Sequence, residues 1–173
     1  MNKNILTLAI LYPLLILGQA LICNHIMLFN VATPFLFIYF IVRYPIGASR
    51  NLELTLAFLL GLAVDIFSDT PGVNALSCTL LAGIKPTIFY AYVTRDDKTK
   101  HITPSISSIG WQNYCKYLVT LATIFCLIEF TIEYFSFTAF RDVLFMTLGS
   151  TAITFLVVIG LDSLLPASKT TMA

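Results

Sequence analysis

Charge is what this chain has least of. Ten Lys and Arg and nine Asp and Glu make only 11% of 173 residues charged, against 58% hydrophobic. No water-soluble surface can be assembled from so small a polar share. The net charge of +1 provides no electrostatic footprint for nucleic acid. Histidine is nearly absent: His25 and His101 fall in loops on opposite sides of the topology set out below, so they cannot share a metal. There is no HExxH, no GxSxG and no glycine-rich phosphate loop. No catalytic residue, metal ligand or cofactor-binding residue is therefore assigned, and the chain reads as a non-enzyme. The four cysteines, Cys23, Cys78, Cys115 and Cys126, lack CxxC spacing and lie in or beside apolar segments, as small core residues do. The alternation of period two that marks an outer-membrane barrel is also missing.

What is present is a series of long apolar segments, each suited to crossing the ~30 Å hydrocarbon layer as a helix. They run over about residues 5–22, 27–42, 52–67, 73–93, 114–135 and 143–165. Residues 1–173 thus read as a single transmembrane domain, an all-α bundle of six helices. The first segment is retained rather than cleaved, since no small-x-small site follows it. The second is short, with Pro34 near its entrance, where a missing amide hydrogen costs least. Pro-Gly within Ser68–Gly72 closes the third segment. The longest polar stretch is Thr94–Asn113, ending at Trp111, a residue suited to an interfacial anchor.

Cation placement sets the orientation. With both termini inside, Lys3, Arg43, Arg50, Arg95, Lys98, Lys100, Lys116 and Lys169 face the cytoplasm, Arg141 faces out and Lys85 is embedded. Eight against one is a strong positive-inside bias, and it requires an even number of spans.

The rest of the chain is organised around Leu59–Leu76. Gly61 and Asp65 are four apart and share a helix face: a notch for close backbone approach, with a carboxylate one turn above it. Two readings of Asp65 stand, a contact or ligand site and a helix-end acid wetted by interfacial water. Lys85 either takes a role at depth or snorkels toward the inner surface on its four-carbon stem. Glu129 and Glu133 read as an internal hydrogen-bonding acid and a partner of Arg141 across the short Ser136–Arg141 connection, rather than as a paired acid site.

A short second segment with Thr33-Pro34, Tyr39 and Tyr44-Pro45, followed by Gly61-Leu62-x-x-Asp65-Ile66-Phe67-Ser68-x-Thr70-Pro71-Gly72-Val73-Asn74-Ala75-Leu76, resembles the MreD family of rod shape-determining proteins. The sharp part of the likeness covers residues 33–76. Beyond Lys85 it is hydropathy and loop placement alone. The resemblance implies a multi-pass protein of the bacterial inner (cytoplasmic) membrane with the fold of energy-coupling-factor transporter substrate-binding subunits. It implies a scaffold of the cell-elongation complex rather than an enzyme. The partners it implies are an MreC-like, single-span periplasmic protein and, indirectly, the MreB filament, a polymerising glycosyltransferase and a class B transpeptidase. Gly61, Asp65, Ser68, Thr70, Pro71, Gly72 and Asn74 are then the partner-contact or structural motif. The rival reading is a vitamin-capturing transporter subunit. Against it, the first segment offers Ala9 and Pro13 where such subunits carry Ala-x-x-x-Ala. A small secondary transporter would favour paired broken helices, and only Gly83–Pro86 looks broken.

The topology makes a direct prediction. Single cysteines at Ser68 and Ser105, in a cysteine-free background, should label from opposite sides of the membrane with an impermeant thiol reagent. Labelling of both from one side would contradict six spans.

Overall fold

The computed structural model describes residues 3–21, 33–94, 102–134 and 140–164. Cys23, His25, His101, Lys169, the start of the expected second segment and most of the charged stretch after Thr94 lie outside them. Every regular element among the described residues is helical: α1 Lys3–Leu21, α2 Ile38–Arg43, α3 Arg50–Ser68, α4 Val73–Tyr92, α5 Ile106–Ile109, α6 Trp111–Tyr134 and α7 Phe140–Leu164. Three helical stretches, Arg50–Ser68, Trp111–Glu133 and Val143–Ser163, are long and apolar enough to cross a membrane.

Large apolar side chains are exposed as well as buried, and several charged ones are buried. Ile10, Leu14 and Leu21 on α1, Phe58, Leu59, Ile66 and Phe67 on α3, and Phe145, Leu148 and Leu156 on α7 are exposed. Gln19, Arg43, Glu53, Asp65, Asn74, Lys85 and Glu129 are buried. In water the exposed apolar faces would be costly, whereas in lipid they meet apolar solvent and polar groups must be satisfied inside. This is a membrane protein. Hydroxyls of the long helices follow the same rule: Thr55, Ser77, Thr79, Thr120, Thr123, Thr147 and Ser163 each donate to the carbonyl four residues earlier.

Helices α3 and α4 form a tight antiparallel hairpin, α6 and α7 form a second, and α4 packs on α6, while α1 lies against α3 and α2 is wedged among α1, α4 and α6. All six residues of α2 are buried. Its aromatic lead-in fills the centre, with Phe35 and Phe37 both edge-on to Phe125 of α6 at 5.1 and 5.6 Å.

The second apolar segment differs from the expected continuous helix. Within its described part, Thr33–Phe35 is irregular, Leu36-Phe37 turns, and helix begins only at Ile38. Pro34 therefore stands in a non-helical lead-in, not at a helix entrance. Such backbone survives in the interior because neighbouring side chains take over its hydrogen bonds. The Thr33 amide donates to Ser150 Oγ at 3.0 Å, the Phe35 amide to Thr154 Oγ1 at 3.1 Å and the Leu36 amide to Gln19 Oε1 at 2.8 Å. Gln19 Nε2 returns a bond to the Pro34 carbonyl at 3.1 Å.

The expected loop over Thr94–Asn113 is also shorter than its polarity implies. It contains α5, started by a Ser105/Ser108 capping box, and Trp111, exposed as expected of an anchor, already begins α6. Ser105 is buried, so the exposed Ser107 is the better carrier for a topology label on this segment.

Gly61 sets the spacing of the first hairpin. A Cβ placed there would lie 2.5 Å from Ala75 Cα and 2.6 Å from the Ala75 amide nitrogen, and nearer still to the Asn74 carbonyl oxygen. These are backbone atoms and cannot rotate aside. Gly160 of α7, by contrast, has open space where its Cβ would go. Gly61→Ala should therefore lower stability by roughly 1–3 kcal/mol through overpacking, and Gly160→Ala should leave it unchanged or raise it by up to about 1 kcal/mol through helix propensity. Thermal melting in lipid nanodiscs reads both; equal melting of the two variants would contradict the close approach.

Candidate functional site

Asp65 lies one turn before the end of α3 and is 3% exposed. Asp69, with φ 53°, ends the helix in the left-handed region, and its amide bonds back to the Asp65 carbonyl. Gly72, at φ 80°, opens α4. Left-handed backbone suits glycine and is tolerated by Asp, so Asp69 and Gly72 together reverse the chain within a few residues. The reversal lays the N-terminus of α4 over the Asp65 side chain. Oδ1 accepts from the Asn74 amide at 3.0 Å, Asn74 Nδ2 at 3.0 Å and Thr70 Oγ1 at 2.5 Å, and Oδ2 accepts from the Ala75 amide at 2.9 Å. Asn74 Nδ2 also reaches Thr70 Oγ1 at 3.3 Å.

The first amides of a helix have no intrahelical acceptor. Leu76 is the first residue of α4 to find one, at Gly72, so Asn74 and Ala75 depend on Asp65. A carboxylate there also meets the positive end of the α4 dipole. The face of Gly61 and Asp65 is thus occupied by α4 of the same chain. Of the two readings of Asp65, wetting by interfacial water is excluded by its burial, and the contact it makes is internal. Gly61, Asp65, Thr70, Gly72 and Asn74 converge on this knot; Pro71 lies exposed in the turn and Ser68 closes α3.

A second polar centre lies at the opposite end of the hairpin. Lys85 is fully buried; its Nζ donates to Glu53 Oε1 at 2.7 Å and to the Tyr44 carbonyl at 2.7 Å, with the Tyr44 ring centroid 5.3 Å away. Snorkelling of Lys85 is therefore overturned: with an acid on the facing helix, pairing inside replaces the reach for water. Glu53 is a partner that sequence reading did not single out. Its signal was that a lone carboxylate in an apolar segment must be compensated.

Arg50 supports the same region by another route. Pro86 has no amide hydrogen, which frees the Ala82 carbonyl four residues earlier. Arg50 Nη1 donates to that carbonyl at 3.0 Å, and Nη2 donates to the Gly83 carbonyl. The planar fork of arginine suits two adjacent acceptors. Nearby, Pro86, Thr87, Tyr90 and Ala91 line an open groove of about 490 Å³ on α4.

A third centre joins α2 to α7. Arg43 Nη1 contacts Asp162 Oδ1 at 2.6 Å, Tyr39 donates to the same oxygen at 3.2 Å, and the guanidinium lies 5.7 Å from the Tyr39 ring centroid. Asp162 too was missed, because nothing in one sequence says which helix α7 would face. Glu133 and Arg141 are both exposed and form no ion pair among the described residues, so the bridge expected between them is not formed. Glu129 is buried, with Ser77 of α4 beside it. No group of three or more His, Cys, Asp or Glu side chains suited to a metal occurs among the described residues. The cysteines Cys78, Cys115 and Cys126 are free thiols, the first and last fully buried.

No protein-family model, curated protein or solved structure matches the chain.

The Lys85–Glu53 pair makes a quantitative prediction. Removing one partner strands a buried charge, so Lys85→Met should cost about 3–5 kcal/mol, and adding Glu53→Met should recover most of that loss. Melting of the single and double variants in nanodiscs tests it. Additive losses would show that the two side chains are not paired in the bilayer.

Proposed function

We propose that this chain is a non-enzymatic scaffold of the bacterial cell-elongation machinery, a six-span protein of the inner membrane with both termini in the cytoplasm and an MreC-like periplasmic protein as its direct partner. The single observation that carries the reading is that the residues of the MreD-like block work as one device. Gly61 admits the α4 backbone, Asp65 accepts four hydrogen bonds, Thr70 and Asn74 supply two of them from side chains, and Gly72 provides the left-handed turn. A block whose members depend on one another physically is a stronger basis for a family likeness than matching composition.

The wider structure agrees with a positional role. Asp65, Lys85, Glu53, Arg43 and Asp162 are held by contacts within the chain, which fixes the bundle, while the exposed α3 face of Phe58, Leu59, Leu62 and Ile66 stays apolar. Such a face associates by van der Waals packing with another helix in lipid. The mechanism is then geometric: a rigid hairpin presents helix surfaces on which a single-span partner is held, and through it the filament and the synthetic enzymes. The energy-coupling-factor-like fold belongs to this same proposal.

The full-length chain, purified in mild detergent from its native membrane, should co-purify with a single-span, coiled-coil periplasmic protein, and depletion of the chain should round rod-shaped cells. A stable, saturable complex with a vitamin in the absence of such a partner would replace the scaffold by the transporter-subunit reading.

A further inference from the structure

Where α4, α6 and α7 meet, one acid is left outside every pairing described above. Glu129 of α6 is 4% exposed, and its Oε2 has no hydrogen-bond partner. Thr151 of α7 is 8% exposed, and its Oγ1 has none either. Cys126, one turn before Glu129 on the same helix face, neighbours both. Ser77 and Cys78 approach from α4, Asp65 is the facing charge from α3, and Glu133 follows one turn along α6. Among the described residues, the charged and titratable groups beside Glu129 are acids and thiols.

The cations among the described residues are placed elsewhere. Lys85 pairs with Glu53, Arg43 with Asp162, and Arg50 serves the α4 carbonyls, while Lys116 and Arg141 are exposed. An ionised Glu129 would be a buried charge with a bare oxygen and only like charges around it, the costliest state for a carboxyl. Asp65, by contrast, accepts four hydrogen bonds.

We propose that Glu129 is a proton-binding site in the interior of the bundle, carried as the neutral acid. The proton converts a bare acceptor into a donor. One bound proton thus removes the charge that the bare oxygen would otherwise carry. Asp65 is ringed by four donors, whereas Glu129 has beside it the Ser77 hydroxyl, which is shared with the Val73 carbonyl.

Infrared spectroscopy of the full-length chain in lipid bilayers at neutral pH tests this directly. The sequence has three glutamates, Glu53, Glu129 and Glu133, so carbon-13 labelling of glutamate carboxyls confines the signal to these. One labelled carboxyl should absorb as a carboxylic acid rather than a carboxylate. That band should vanish in Glu129→Gln, persist in Glu133→Gln, and be unchanged when sodium or potassium chloride replaces choline chloride. The spectrum of the labelled wild-type chain is decisive even if Glu129→Gln fails to accumulate. Three carboxylate bands in every salt would overturn the proposal, and so would an acid band that sodium or potassium abolishes, which would mark a cation site instead.

Discussion

The Asp65 carboxylate holds the amides of Asn74 and Ala75, and the first hairpin depends on that contact. A helix that starts inside a hydrophobic layer has amides with neither water nor an intrahelical acceptor. Leaving one such group unmet costs about 1–3 kcal/mol. Placing the acceptor on the preceding helix links two segments that are otherwise joined only by a short turn. It also dictates what surrounds it: a glycine at 61 so that the helices come near enough, and left-handed backbone at Asp69 and Gly72 so that α4 starts at the right height.

The same constraint accounts for the remaining irregularities. Where the backbone fails to satisfy itself, a side chain from another helix takes over. Arg50 serves the carbonyls disturbed by Pro86, and Gln19, Ser150 and Thr154 serve the extended stretch before α2. Hydrophobic burial contributes little between helices in lipid, so these polar contacts carry a larger share of the specificity than they would in a soluble core. Much of the exposed surface of α1, α3 and α7 is left apolar, as a surface shared with lipid or with another helix requires.

How much of this was legible in the sequence depended on range. Helices α1, α3, α4, α6 and α7 follow the apolar segments closely, because hydropathy over a span is a local property. The Gly61–Asp65 face was legible because four residues make one turn. The pairs Lys85–Glu53 and Arg43–Asp162 were not, since their members lie 32 and 119 residues apart and no local pattern records which helices adjoin. The broken lead-in to α2 was hidden for the same reason: Thr33–Phe37 reads as part of an apolar segment, and what permits its irregular form sits on α1 and α7. Asp65 was legible as important yet ambiguous in role, because its acceptor function depends on where the turn delivers α4.

Taken as a scaffold, the chain owes its use to rigidity at this hairpin, since binding energy on a helix face positions a partner only if the face itself is fixed. The most direct measurement is amide hydrogen exchange at Asn74 and Ala75 in the full-length chain in nanodiscs. First-turn amides ordinarily exchange fast. If Asp65 accepts from both, they should exchange as slowly as the core of α4 and become fast in Asp65→Ala while mid-helix amides such as Leu81 stay protected. Fast exchange in the wild type, or equal rates in wild type and variant, would contradict the account.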